Sequence, residues 1–249
     1  ESLLFLPQAT RQEAFANVAA LSATRTVTAS ESPLALTPAP KDWSDFSYSV
    51  EGENYTLADY FQRPASRGLI VLQGDDVLLE RYGDGNTEET RWITFSVTKS
   101  VTSLLIGAAI KDGYIESVDE FVTDYIPRLK GSAYEGVRIK DILHMASGVA
   151  WDEDYASPTS DVAIAGAYNG PQLTAYLATL PREAEPGTRF NYNTGETNLV
   201  GELLRSALGN NASSYLQAKI WRPFGMEHDA YWLLSSEDGV ETGGCCINA

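Results

Sequence analysis

One helical segment constrains this 249-residue chain more than any other feature: it is apolar on nearly every side, yet it opens with Ser96 and Lys99. Apolar side chains surround residues 97–111, and Gly113 follows as a stop signal, a pattern typical of a helix buried in a core. Lysine is rarely buried in such a place unless it is paired or functional. The segment therefore predicts a large core built around this helix, with a special role for Lys99.

The spacing of Ser96 and Lys99 favours nucleophilic chemistry. Residues three apart lie on one face of a helix, so the hydroxyl and the amine meet at the helix N-terminus. The helix dipole and the free N–H groups there stabilise a developing oxyanion. Apolar neighbours (Val97, Val101 and Leu104) would desolvate the ammonium and lower its pKa. We therefore predict Ser96 as the nucleophile and Lys99 as its activating base.

Other interpretations of these residues have to be weighed. Ser-x-x-Lys by itself occurs by chance, and a capping serine beside a lysine that extends to solvent is the structural alternative. Other serine chemistry finds less support, since the sequence has no Gly-x-Ser-x-Gly motif. Its two histidines, His144 and His228, make a Ser-His-Asp triad a poor hypothesis.

The order of predicted elements indicates an α+β fold. Residues 69–73 and 77–82 form a β-hairpin around a turn at 74–76, and predicted helices follow at 97–111, 138–147, 171–180, 197–208 and 213–221. The hairpin needs further strands, and residues 230–234 are the one later candidate. Residues 25–66 look irregular. We expect residues 1–67 to form an N-terminal helix and irregular arm, and 68–249 to form the main domain.

Charge and composition exclude several classes of function. The net charge of −16 disfavours nucleic acid and anionic membrane surfaces as partners. No apolar run reaches the roughly 18–20 residues that span a bilayer. The sequence has no His/Cys cluster with the spacing of a metal site, so we expect no metal. Both an exported or periplasmic and a cytoplasmic location stay open.

Three segments in consistent order resemble the serine β-lactamase and penicillin-binding superfamily. Residues 95–100 (Phe-Ser-Val-Thr-Lys-Ser) resemble its first motif, and residues 141–148 are similar to its Leu-Leu-x-His-Thr-Ser-Gly segment, with Met145 at the usual histidine. Residues 186–194 resemble the second motif, Tyr-x-Asn, of class C β-lactamases, with Thr194 in place of asparagine. Thr194 and the stretch 152–155 are closer to 6-aminohexanoate-dimer hydrolases and related esterases.

The resemblance implies a β-lactamase-like fold, an antiparallel sheet flanked by helices plus an all-helical lobe, and roles for particular residues. In the family the motif tyrosine works with the lysine as base or proton relay, which we carry onto Tyr192. It further implies substrate contacts from Tyr155, on a mobile loop, and from Thr194, and no cofactor. The third motif has no counterpart, so we expect the C-terminal strands to be missing or to come from a second chain or segment.

These observations favour a serine hydrolase that cleaves a small ester or amide through an acyl-enzyme on Ser96. A β-lactamase or D-Ala-D-Ala carboxypeptidase is the alternative within that chemistry; Thr194 disfavours a β-lactamase. A module that binds acyl ligands without turnover is the alternative of another class. An acidic scaffold with a chance motif is the third hypothesis.

Overall fold

A computed structural model describes residues 3–62, 66–168, 170–209, 211–236 and 239–249. The chain forms two compact units. The larger combines residues 1–33 with 92–249, and the smaller comprises residues 34–91. The boundary that we expect at residue 67 stays a prediction. No helix in the described ranges is both long and apolar enough to cross a membrane.

Most of the described helices belong to the larger unit. They are α1 (Gln8–Ala16), α2 (Val18–Leu21), α3 (Leu57–Gln62, in the smaller unit), α4 (Val97–Lys111), α5 (Val122–Tyr125), α6 (Ile139–Leu143), α7 (Asp161–Ala165), α8 (Gly170–Leu177), α9 (Thr194–Leu208) and α10 (Ala212–Leu216). Short 3-10 turns lie at Leu3–Phe5 and Pro127–Leu129, and a π-helical segment at Gln217–Trp221 extends α10. The strands are β1 (Thr24–Val27), β2 (Thr37–Pro38), β3 (Ser47–Val50), β4 (Glu53–Thr56), β5 (Gly68–Gln73), β6 (Asp76–Tyr82), β7 (Ala230–Leu233) and β8 (Ile247–Asn248).

The sheet of the larger unit has the order β1-β7-β8 and is antiparallel throughout. Thr24 pairs with Leu233 at one end of the β1–β7 ladder and Val27 pairs with Ala230 at the other. Strand β7 confirms the strand expected at residues 230–234. Strand β8 was not predicted, because two residues carry no usable periodicity.

The smaller unit contains the predicted hairpin. Strands β5 and β6 pair antiparallel, and β2 joins β6 in parallel, giving the order β2-β6-β5. Strands β3 and β4 form a second, two-stranded sheet. The prediction that residues 25–66 are irregular was wrong in its described part, since β1 to β4 and α3 lie largely within it. Strands β2 to β4 have two to four mostly exposed residues and so lack a clear alternation.

Helices α4 and α9 pack together in the main core of the larger unit. Leu105 and Ile106 of α4 and Leu199 and Leu203 of α9 are fully buried, so the first helix contributes one face to the core. The prediction that it is buried on nearly every side was wrong, since Val97 and Leu104 are exposed. The mixed α+β class is confirmed. The N-terminal residues of the two helices line a common cavity, with Ser96 and Lys99 from the start of α4 and Thr194 and Gly195 from the start of α9. That cavity is the candidate site.

Candidate active site

Ser96 occupies the N-cap position of α4 but does not act as a cap. Its side chain accepts no hydrogen bond from a backbone N–H of the first turn of the helix. Instead the Lys99 ammonium donates to Ser96 Oγ at 3.0 Å and to the Gly244 carbonyl at 2.7 Å. Among the described residues, the Ser96 N–H has no hydrogen-bond acceptor. The hydroxyl is thus in contact with its predicted base, and an N–H donor is left for an oxyanion.

The residue before Ser96 has a strained backbone. Phe95 has φ +42°, in the left-handed region that bulky side chains rarely adopt. Its ring packs edge-on against Phe15, with 4.9 Å between ring centroids. Such strain costs roughly 1–3 kcal/mol and persists only where surrounding contacts impose it. The packing of Phe95 therefore fixes the sharp turn that carries Ser96 into the cavity.

Lys99 is 9% exposed, and burial lowers the pKa of its ammonium to about 8. The charge of Glu153 opposes this shift in part. Near neutral pH a useful fraction of Lys99 is therefore an uncharged amine that can take a proton. The sequence predicted this shift from the apolar neighbours of the helix, although Val97 and Leu104 are themselves exposed. The buried neighbours include Thr98 and Thr102 instead.

Tyr192 lies beside the lysine. Lys99 Nζ is 5.4 Å from the centroid of the Tyr192 ring, within the range of a cation–π contact. The side chain is 38% exposed, so the ring covers the ammonium on one side and reaches solvent on the other. The structure thus brings together the three residues predicted to be catalytic. Their roles stay predictions.

Asn193, the variable residue of the second motif, caps α9. Its side-chain oxygen accepts from the Glu196 N–H at 3.0 Å, and the residue is fully buried. Its own N–H points at the sulfur of Met145, 3.5 Å away. Met145 also accepts from the Asn191 N–H through its carbonyl, at 2.8 Å. The segment that carries Tyr192 is thereby held at both of its neighbours.

Glu153 is a hub that the sequence did not reveal. One carboxylate oxygen accepts from Trp151 Nε1 and from the Thr194 N–H, at 3.0 Å for the latter. The other accepts from Tyr155 Oη at 2.7 Å and from Thr194 Oγ1. A carboxylate has about four lone-pair positions, and all four are taken here. Glu153 therefore fixes the start of α9 and the orientation of Tyr155 together.

The two residues predicted to contact substrate, Tyr155 and Thr194, are neighbours. Their hydroxyl oxygens are 3.4 Å apart. Burial, and then the bond to Glu153, raise the pKa of Tyr155 to about 12, with the Thr194 contact opposing. The phenol therefore stays protonated at neutral pH, and it donates that proton to Glu153. Both residues line the cavity, and their contact with a substrate stays a prediction.

A buried carboxyl lies one turn into α9. Glu196 is 1% exposed, and burial raises its pKa to about 8, opposed by hydrogen bonds from Ser147. Ser147 Oγ and Asn193 Nδ2 both donate to Oε1, the latter at 3.4 Å. A neutral acid beneath the second motif was not predicted, because its partner Ser147 lies 49 residues away in the chain.

The cavity in front of Ser96 has a volume of about 620 Å³, within the range of small-molecule sites. Ser96, Lys99, Thr194 and Asn198 form its polar end. Much of the remaining wall is apolar, formed by Ile93, Phe95, Trp151, Val162, Ala165 and Leu233. Segment 244–246 completes it. Asn198 and Gly244 were missed by sequence reasoning; Asn198 accepts from the Gly244 N–H at 3.1 Å and so holds that segment beside Lys99.

No group of three or more His, Cys, Asp or Glu residues suited to a metal ion occurs within the described part of the chain. The two histidines lie outside the cavity lining. His144 is exposed and ends α6.

Comparison with known proteins identifies a family for the chain. The sequence pattern of the Beta-lactamase family matches residues 61–244. The 6-aminohexanoate-dimer hydrolase of Paenarthrobacter ureafaciens is 28% identical over 203 residues, which are 78% of this chain and 51% of that protein. An Escherichia coli K12 protein provisionally named D-alanyl-D-alanine carboxypeptidase is 27% identical over 66% of this chain and 39% of its own length. The chain thus spans about half or less of the curated relatives it matches.

Among solved structures, a Bacillus anthracis protein provisionally named 6-aminohexanoate-dimer hydrolase superposes with a TM-score of 0.84 at 20% identity. The match covers 98% of this chain and 66% of that one. At this identity the likeness establishes the fold, which is that of the β-lactamases.

Proposed function

Because this chain belongs to the Beta-lactamase family of serine hydrolases, we propose that it cleaves small esters or linear amides through an acyl-enzyme on Ser96. Lys99 is the activating base in this proposal, and Tyr192 assists it as a proton relay. The observation that carries the proposal is the 3.0 Å contact between Lys99 Nζ and Ser96 Oγ, at a buried lysine whose pKa is lowered to about 8.

In the first step, Ser96 Oγ attacks the carbonyl carbon of the substrate while its proton moves to Lys99 Nζ. The Ser96 N–H and the helix dipole of α4 stabilise the resulting oxyanion. When the intermediate collapses, the bond to the leaving alkoxide or amine breaks, and Lys99, directly or through Tyr192, returns the proton to that group. A water molecule then attacks the ester on Ser96, and the acid and free Ser96 are regenerated.

Thr194 favours an ester or linear amide over a β-lactam. The second motif of class C β-lactamases carries an asparagine at this position, and threonine has no amide to offer. Its hydroxyl donates to Glu153, so it presents to the cavity only its acceptor lone pairs and its methyl group. A substrate contact that needs an amide donor at this position therefore has no counterpart here.

The direct test is labelling with a fluorophosphonate probe, followed by intact mass and mapping of the adduct. We expect one adduct per chain, on Ser96, none in Ser96→Ala, and full labelling of the control Ser100→Ala, which removes an exposed hydroxyl of the same helix. A folded protein with no adduct, or with an adduct elsewhere, would contradict the proposal. Labelling without turnover of any acyl ester would favour the module that binds acyl ligands.

A further inference from the structure

The wall of the cavity beyond Ser96 offers almost nothing to a charged ligand. Among the described residues that line the cavity, Lys99 is the only one with a charged side chain. The ammonium of Lys99 already donates to Ser96 Oγ and to the Gly244 carbonyl, and its third side faces the Tyr192 ring. It is therefore occupied by the reaction centre.

Glu153 contacts the lining of the cavity through hydrogen bonds. Three residues that donate to its carboxylate line the cavity: Trp151, Tyr155 and Thr194. Glu153 would be the natural partner for a cationic end of a substrate. Its four acceptor positions are filled by protein donors, however. A substrate ammonium could bind Glu153 only by displacing a donor that fixes α9 or Tyr155.

Part of the apolar wall of the cavity is built from α7 and from β7. Val162 and Ala165 contribute from α7 and Leu233 from β7, all three with aliphatic side chains. Asp161, which begins α7, does not line the cavity; its two carboxylate oxygens accept from the Asp152 N–H and from Tyr176 Oη. A charge placed against this wall would lose its water without gaining a partner, a large penalty.

We propose that the acyl group of the substrate is uncharged and apolar, and that Glu153 shapes its cavity without binding it. This inference rests on the proposed function, since it identifies the acyl side of the bond that Ser96 attacks. It separates this chain from the relative named for 6-aminohexanoate dimer. The acyl part of that dimer is a 6-aminohexanoyl group, which ends in an ammonium group at neutral pH.

The test uses 4-nitrophenyl esters that share a leaving group and a chain length. They are the hexanoate, the 6-(trimethylammonio)hexanoate, which has a permanent cation, and the monoester of adipate. We expect kcat/KM for the hexanoate to exceed that of both charged esters by at least 100-fold. Along the series from acetate to hexanoate it should rise about fourfold per methylene group, as expected for burial of apolar surface. A cationic ester cleaved within threefold of the hexanoate would overturn the proposal.

Glu153→Gln separates the two possible roles of that carboxylate. If Glu153 only shapes the cavity, the ratio of cationic to neutral ester should stay within a factor of two of the wild-type ratio, whatever the fall in both rates. A selective loss of the cationic ester, tenfold or more, would show that Glu153 binds the cation and would contradict the proposal.

Ala165→Leu tests where the acyl chain lies. Ala165 lines the cavity, whereas Ala163 of the same helix is exposed and does not. We expect Ala165→Leu to lower the hexanoate-to-acetate ratio at least tenfold and Ala163→Leu to leave that ratio unchanged. Equal ratios in both variants would place the acyl chain elsewhere and contradict the proposal. If the wild type neither hydrolyses 4-nitrophenyl acetate nor takes the probe on Ser96, the proposed function itself has failed.

Discussion

Two helices start at the same cavity, and they start in opposite ways. Helix α4 begins at Ser96, whose hydroxyl caps nothing and contacts Lys99. Helix α9 begins at Asn193, whose side chain caps the helix, and its next N–H is taken up by Glu153. Among the described residues, the Ser96 N–H at the first start has no acceptor, whereas the N–H groups of Thr194 and Glu196 at the second are taken up by Glu153 and Asn193.

This difference suits the two helix starts to different roles: the start of α4 to the reaction, and the start of α9 to holding the site in place. An N-terminus without a side-chain cap loses about 1 kcal/mol of helix stability, but here its dipole and the Ser96 N–H then act on whatever enters the cavity. A capped and buried N-terminus gains that stability and holds its neighbours, here Tyr192 and Tyr155, in place. We therefore expect substitutions at the start of α4 to alter rate with little effect on stability, and substitutions at the start of α9 to alter stability as well.

The largest effect should come from Ser96→Ala. We expect turnover of any ester substrate to fall by about 10⁴-fold or more, because the nucleophile is lost. Since the Ser96 hydroxyl caps no helix, the free energy of unfolding should change by less than about 0.5 kcal/mol. Rates and urea denaturation of the purified variant measure both. A loss of stability near 2 kcal/mol would break the distinction between the two helix starts.

Lys99 should impose a pH dependence on the same site. Its pKa is lowered to about 8, and only the neutral amine accepts the serine proton, so the labelling rate of Ser96 should rise about tenfold per pH unit below pH 8 and level off above it. Lys99→Arg should lower the rate about 10³-fold, because a guanidinium stays protonated. A rate that is flat from pH 6 to 9 would contradict the role of Lys99.

Glu196, in the first turn of α9, should make the free energy of unfolding depend on pH. Its pKa is raised from 4.5 to about 8, so its stabilising contribution is complete below about pH 4.5 and is lost as pH rises through 8. Lys99 opposes this slope only slightly and only as pH approaches 8, where its amine begins to lose its proton in the folded state but not in the unfolded state. Between pH 5 and 8 we expect unfolding free energy to fall by on the order of 3 kcal/mol in wild type. Glu196→Gln should remove that slope; an equal slope in the variant would assign it to other groups.

Glu153→Gln should have an intermediate effect on both properties. We expect kcat/KM to fall about tenfold, since the amide cannot accept all four donors. Because the Glu153 charge raises the pKa of Lys99, its loss should also move the acid limb of the pH–rate profile to lower pH. Glu116→Gln, at an exposed glutamate, is the control for the change in net charge. A limb that does not move would leave Glu153 with a packing role only.

Asn193→Ala should cost the least, about 1–2 kcal/mol of stability, from loss of a buried helix cap. The labelling rate of Ser96 should fall severalfold with it, because Tyr192 is the adjacent residue. Asn211→Ala removes the cap of α10, where Asn211 accepts from the Ser214 N–H at 2.8 Å. This control should lose comparable stability and keep its labelling rate. Equal labelling in both variants would show that the α9 cap does not support the site.

Local sequence determined a good part of this protein. The apolar surround of residues 97–111 predicted a core helix whose bounds match α4, and two strand-like runs on either side of a short turn predicted β5 and β6. The spacing of Ser96 and Lys99 predicted their contact, because residues three apart on a helix meet in any fold that keeps the helix. These features depend on neighbours within a few residues, so the sequence displays them directly.

The tertiary structure alone decided the rest of the site. Glu153 receives donors from Thr194, 41 residues away, and Lys99 finds the Gly244 carbonyl 145 residues away. Nothing in a local pattern distinguishes these residues from other acidic or turn residues, because their partners are chosen by how α4, α9 and the later segment pack. The sequence determined which groups could react. Packing decided which carboxylate has all its acceptor positions filled, how far Lys99 is buried and which residues line the cavity.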